Sequence, residues 1–202
     1  MNKNKITAGR KQAGFTLIEM VVVIVLIGLL AAQALPRFLD VTEQAEIASL
    51  EGMTGGFVTG INIARAKWLV DGFKGGSNTS PSNKVAINLD GKIIYMNESG
   101  WPANTDPASD ASEDSQTATE CVEVWLSVMQ TAPAITTNPN DRVNAKYFAS
   151  VIDQAGGDDT GNTADICRYE LIVNGKPSAV ATHYFDYDLA DGEVIITKPN
   201  LN

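Results

Sequence analysis

Gly14-Phe-Thr-Leu-Ile-Glu-Met-Val-Val-Val-Ile-Val-Leu-Ile-Gly-Leu-Leu-Ala-Ala-Gln-Ala-Leu35 is the stretch on which the reading of this 202-residue chain turns. Between Phe15 and Leu35 only Glu19 can ionise. As an α-helix at 1.5 Å per residue, that run is about 32 Å long. A bilayer hydrocarbon core is about 30 Å thick, so the run is long enough to cross it once. The charges that precede it, Lys3, Lys5, Arg10 and Lys11, are all positive. They predict a cytoplasmic N-terminus and an exported remainder. Pro36, just past the run, removes a backbone donor and is expected to kink the helix.

Glu19 is out of place in such a helix. Insertion scales charge about 2.5–3.5 kcal/mol for an acidic residue at mid-bilayer, and less near an interface. Its natural partner is a cation, yet no Lys or Arg lies between Phe15 and Pro36. A cut between Gly14 and Phe15 would create one as a new α-amino group. That amine would stand one turn away in the same helix, or beside Glu19 if a neighbouring copy were shifted along the axis. The alternative is a side chain that snorkels to the headgroups.

The hexapeptide Gly14-Phe15-Thr16-Leu17-Ile18-Glu19, its basic leader and Pro36 resemble the class III leader of type IV pilins and type II secretion pseudopilins. The resemblance covers about the first 40 residues. It implies a prepilin peptidase that cuts after Gly14 and methylates Phe15, with Glu19 serving assembly by meeting the amine of the next subunit. The implied partners are that peptidase, other pilin subunits and an inner-membrane assembly platform. The implied location is the inner membrane before assembly and an extracellular pilus or periplasmic filament afterwards. Residues 34–40, with Gly52 to Trp68 after them, are most similar to the pilins of the mannose-sensitive haemagglutinin (MSHA) pilus, its B-type minor pilin included. That similarity implies a minor structural subunit with a role in adhesion or motility. Two other readings compete. One is a pseudopilin of a type II secretion system. The other is a soluble secreted binding protein starting at Leu35, because Ala32-Gln33-Ala34 fits a signal-peptidase site. The apolar run is longer than an ordinary signal h-region, which argues against the latter.

Three segments are expected: a cleaved leader (residues 1–14), a transmembrane and assembly helix (15–35), and a globular head (36–202). Net charge is −9, and loss of the four basic leader side chains takes it to −13. So acidic a chain repels nucleic acid, and no nucleic-acid partner is expected. Cys121 and Cys167 both fall on the exported side, where a disulfide is expected; two unpaired thiols are the other reading. No Cys-x-x-Cys is present and His183 is the only histidine, which makes zinc a poor fit. His183 reads as a structural residue in a strand.

The expected fold is α+β, a long helix packed on an antiparallel head. Past Pro36, Ile47, Leu50, Phe57, Ile61, Ala64 and Trp68 form one helical stripe, with Glu43, Glu46, Glu51 and Lys67 opposite. One helix is therefore predicted from about residue 15 to about residue 70. Gly52, Gly55, Gly56 and Gly60 weaken it by up to about 1 kcal/mol each relative to Ala. They read as sites of close packing, or else as a place where the helix melts during assembly. Residues 71–83 and 99–116 read as loops. Residues 84–96 read as a hairpin turning at Asp90-Gly91. Thr117 to Glu120 is a possible capping box. It opens a short helix with Cys121, Val124, Trp125, Val128 and Met129 on one face, although 121–126 also alternates as a strand would. Residues 131–142 read as loop, 147–152 as a strand, and 168 onward as a hairpin turning at Asn174-Gly175. Strands are expected at 179–187 and 192–197.

Candidate sites are few. Asp153, Asp158, Asp159, Asn162 and Asp165 share a polar loop and are weak calcium candidates through oxygen ligation. Their spacing does not fit an EF-hand, since Thr163 stands where the turn glycine belongs. Some secretion pseudopilins bind calcium, but the resemblance does not map their ligands here. No phosphate-loop or nucleophile-elbow motif occurs, so no enzyme and no other cofactor are expected.

Overall fold

The structure, a computed structural model, describes residues 14–72, 85–153, 164–173 and 182–199. Helix α1 (Leu17–Val70) runs through Pro36 as one element of 54 residues. Two compact units divide at Ala45 and Glu46. In the first, every described residue from Gly14 to Thr42 is exposed, including Phe15, Ile18, Leu30 and Phe38. Among the described residues nothing in this unit covers the apolar run of the helix, a surface that suits lipid or other helices. It has the length and hydropathy of a membrane span.

The second unit is the head. Here α1 becomes one-sided: Ile47, Leu50, Phe57, Ile61, Ala64 and Trp68 are all buried, as the stripe requires. Thr54 and Gly60 join them. Thr54 tolerates burial because its hydroxyl donates to Leu50 O at 2.8 Å. Strands β1 (Val85–Leu89), β2 (Lys92–Met96) and β3 (Pro102–Asn104) form one antiparallel sheet in that order. The β1–β2 turn has Asp90 at φ 52° and Gly91 at φ 86°. Positive φ at both central residues is the geometry that Asp-Gly favours in two-residue hairpins. Strand β3 lies within residues 99–116, a stretch expected to be loop. Pro102 and Asn104 pair with Met96 and Tyr95 of β2 across an irregularity, a pairing too short and too proline-marked to leave a periodic signal.

Helix α2 (Ala118–Val128) follows, not a strand, and its N-terminus carries the capping box. Strands β4 (Ile135–Thr136), β5 (Tyr147–Ile152), β6 (Ile166–Leu171), β7 (Tyr184–Asp188) and β8 (Val194–Thr197) make the second sheet in sequence order. All its pairings are antiparallel except β4 with β5, which is parallel. Residues 131–142 are thus not all loop: they hold β4 and a single 3-10 turn at Pro139–Asp141. Two residues of strand are set by their pairing with Tyr147 and Phe148, not by any local pattern. The described strand after His183 starts at Tyr184. The turn expected at Asn174-Gly175 and the strand start at 179 lie outside the described residues, as do the leader through Ala13 and most of 71–83.

Phe57 sits at the centre of the core. Its ring lies 5.1 Å from Tyr169, 5.3 Å from Phe185, 5.5 Å from Tyr187 and 6.2 Å from Trp125. These rings come from α1, α2, β6 and β7, so one side chain joins both helices to the larger sheet. Trp125 donates its ring N–H to Pro133 O, Tyr169 its hydroxyl to Cys121 O, and Tyr187 its hydroxyl to Pro102 O. The polar tips of these three rings are thereby satisfied.

Of the four glycines in the head part of α1, only Gly60 is closely packed. A Cβ there would collide with the Val128 carbonyl, whereas nothing lies within 4 Å of a Cβ at Gly52, Gly55 or Gly56. The close-packing expectation holds for Gly60 alone.

Phe57→Ala is expected to lower head stability by about 3–5 kcal/mol, the usual cost of emptying an aromatic core position. Gly52→Ala should be neutral or slightly stabilising, and Gly60→Ala clearly destabilising. Denaturant titration of the detergent-solubilised chain followed by near-UV circular dichroism checks all three.

Candidate functional site

The helix start carries the geometry of interest. Thr16 caps α1: its backbone N–H and its hydroxyl both donate to Glu19 Oε2 at 2.8 Å. In return the Thr16 hydroxyl accepts the Glu19 N–H at 3.3 Å. This is a reciprocal capping box. The same arrangement, with the same three lengths, opens α2 between Thr117 and Glu120. The pattern Thr-x-x-Glu is visible in the sequence at both places, yet reading Glu19 only as an anomaly of charge overlooks Thr16. Gly14 and Phe15 lie outside regular structure and are exposed just before the cap. Pro36 stands inside α1 without ending it.

In the head, Cys121 and Cys167 form a disulfide with Cα atoms 5.6 Å apart. Both residues are fully buried. The bond ties α2 to β6 and closes a 46-residue separation, worth about 4 kcal/mol of chain entropy. A second lock lies at the end of α1. The Arg65 guanidinium donates to Ser99 O at 2.8 Å and lies 3.9 Å above the Trp101 ring. Glycine is required on both sides of this stack: a Cβ at Gly100 (φ 78°) would strike Trp68, and one at Gly192 (φ 74°) would strike Trp101.

Close by, burial pushes the Glu113 carboxyl up from its ordinary value, against a hydrogen bond from Ser99 that lowers it. The negative charges of Glu98, Asp114 and Asp188 push the same way as burial. Burial also raises the Tyr147 hydroxyl to about 12. Among the described residues no cluster of three or more His, Cys, Asp or Glu side chains could hold a metal. Of the calcium candidates, Asp158, Asp159 and Asn162 lie outside the described residues. Asp165 is buried, and its Oδ2 accepts the Gln116 N–H at 2.8 Å, a use within the fold. His183 is buried just before β7, and its Nδ1 lies 2.9 Å from the Thr182 hydroxyl.

Residues 9–32 match the family of the prokaryotic N-terminal methylation motif. That span includes Gly14, Phe15, Thr16 and Glu19. A fimbrial protein of Neisseria meningitidis serogroup A is 27% identical over 82% of this chain and 87% of its own length. The chain is similar to fimbrial proteins. The pilin likeness extends to a type IV major fimbrial protein of Dichelobacter nodosus, 34% identical over 49% of this chain and 62% of that one. A type IV narrow pilus major component of Thermus thermophilus is 58% identical over 38 residues, 19% of this chain and a third of its own. For these last two, the chain spans less than two thirds of the relative. No solved structure matches the chain.

Two outcomes are expected of the head. Replacing Cys121 and Cys167 together by Ser should cost about 2–5 kcal/mol, read from denaturant midpoints with and without reductant. Glu113 binds its proton more tightly in the folded head than unfolded, so its contribution is favourable at low pH and is lost as pH rises through the raised value. Glu113→Gln, which can still accept from Ser99, should therefore stabilise the head at neutral pH and give no gain below the ordinary carboxylate range. Because the group is only half-buried the gain is small, and melting temperatures compared at pH 4 and pH 7 read its sign.

Proposed function

We propose that this chain is a structural subunit of a type IV pilus, anchored by α1 before assembly and joined to its neighbours through α1 afterwards. The observation that carries this reading is the helix start: a methylation motif at Gly14-Phe15, followed by an apolar helix that buries none of its residues from Leu17 to Thr42. The three segments are a leader (residues 1–14), an assembly helix (15–35) and a head (36–202). The basic leader favours a cytoplasmic N-terminus and a single pass. A prepilin peptidase removes the leader, an inner-membrane platform assembles the product, and the finished filament lies outside the cell.

Glu19 supplies the assembly charge. In a helix bundle that excludes water and headgroups, an unmet carboxylate is costly, and the amine of an incoming Phe15 offsets that cost. The likeness of residues 34–40 and 52–68 to MSHA-type pilins favours a minor subunit of that pilus, with a part in attachment or motility. The relatives described above, all fimbrial or pilus components, favour a pilus over a secretion pseudopilus.

Mass spectrometry of the mature N-terminal peptide tests the processing. A methylated Phe15 is expected, and a chain beginning at Leu35 would overturn the reading. Glu19→Ala should be cut and inserted normally yet be missing from sheared filaments.

A further inference from the structure

Aspartate is followed by glycine at three places in the chain, Asp71-Gly72, Asp90-Gly91 and Asp191-Gly192. Such a step can isomerise without an enzyme. The glycine nitrogen attacks the aspartate Cγ, an N–Cγ bond forms, and a Cγ–O bond breaks with loss of water. Water then opens the cyclic imide at the main-chain carbonyl. The chain now runs through Cβ and Cγ as isoaspartate, with one extra backbone atom and no net change in composition. Glycine favours the closure because it carries no side chain to obstruct it.

The fold treats the three steps differently. Gly72 donates its N–H to Leu69 O at 3.2 Å, and Gly192 donates its own to Asp188 O at 3.0 Å. Gly91 donates instead to a side chain, Asn88 Oδ1, at 2.9 Å. The carboxylates differ as well. Asp71 is paired with Lys67 at 2.5 Å, and Asp191 Oδ1 accepts the Glu193 N–H at 2.8 Å. Among the described residues, no hydrogen bond or ion pair holds the Asp90 carboxylate. Asp90 and Gly91 are both exposed. Nothing lies within 4 Å of where a Gly91 Cβ would stand, whereas the Trp101 ring closes over Gly192. At residue 90 the carbon under attack is therefore free to turn, and the attacking nitrogen is restrained through one removable acceptor.

We propose that Asp90-Gly91 is a site of spontaneous isomerisation to isoaspartate, and that the Asn88 side chain is the brake on it. Ring closure turns the Gly91 nitrogen towards Cγ and breaks its bond to Asn88, so the strength of that bond adds to the barrier. The effect reaches beyond the turn. The two-residue loop sets the register of β1 and β2, with Leu89 opposite Lys92. Lys92 Nζ donates to Leu126 O at 2.5 Å and to Met129 O at 3.3 Å, at the end of α2. An extra backbone atom no longer fits that loop, and it draws Lys92 off the end of α2.

The experiment ages the detergent-solubilised full chain at constant temperature and neutral pH. Electron-transfer fragmentation of its peptides reads isoaspartate at residues 71, 90 and 191 separately. Wild type is compared with Asn88→Ala and with Asn88→Asp, which keeps an acceptor. In wild type, isoaspartate should build up fastest at residue 90. Asn88→Ala should raise the rate there about fivefold, the loss of one hydrogen bond, and leave residues 71 and 191 unchanged. Asn88→Asp should stay close to wild type. Build-up at residue 90 no faster than at 71 and 191 would overturn the site. An unchanged rate in Asn88→Ala would remove the brake. So would an equal rise at all three residues, because the head would then have loosened as a whole.

Discussion

The head depends on burying one stripe of α1 beneath a cluster of aromatic rings. Phe57 supplies the central contact, since its ring meets Tyr169, Phe185, Tyr187 and Trp125 at once. The other stripe residues extend that contact along the helix, from Ile47 to Trp68. A head of this size has little apolar mass to spare, and a helix carrying several glycines gains little from its own propensity. Tertiary burial therefore decides whether this part of α1 is helical. The disulfide and the Arg65–Trp101 stack then fix elements that the aromatic cluster has already brought together.

Much of this was legible in the sequence because it was periodic. The stripe from Ile47 to Trp68 and the face Cys121-Val124-Trp125-Val128-Met129 follow the helical period, and every one of those residues is buried. Strand β5 and the hairpin at Asp90-Gly91 follow alternation and turn chemistry. What was not legible is set by distant partners. Strand β3 exists because β2 offers it an edge, and β4 because β5 does. Gly60 alone among four similar glycines meets a carbonyl of α2, a matter of where two helices cross.

The candidate site was legible in charge but not in geometry. A lone carboxylate in an apolar run identifies Glu19 at once, and the motif around it names Gly14 and Phe15. Thr16 was overlooked because a cap matters only when the direction of the neighbouring carboxylate is known. The paired cysteines were suggested by the exported compartment and their number, and the structure adds that the bond joins α2 to β6.

The position of that bond also sets how the head answers mechanical load. Between Cys121 and Cys167 lie α2, β4, β5 and the start of β6. If the chain is pulled apart from its two ends, tension bypasses this loop through the sulfur–sulfur bond. About 150 Å of contour, at 3.3–3.6 Å per residue, can never be released. What can be drawn out lies on either side: α1 with the small sheet before Cys121, and the remainder of the larger sheet after Cys167. The covalent ring keeps Trp125 and Tyr147 on one closed segment while Phe57, on the N-terminal side, is held by packing alone. Under load the aromatic cluster therefore parts between the ring and its partners on either side, Phe57 before Cys121 and Tyr169, Phe185 and Tyr187 after Cys167, and an oxidised head keeps Trp125 and Tyr147 tethered for re-closing.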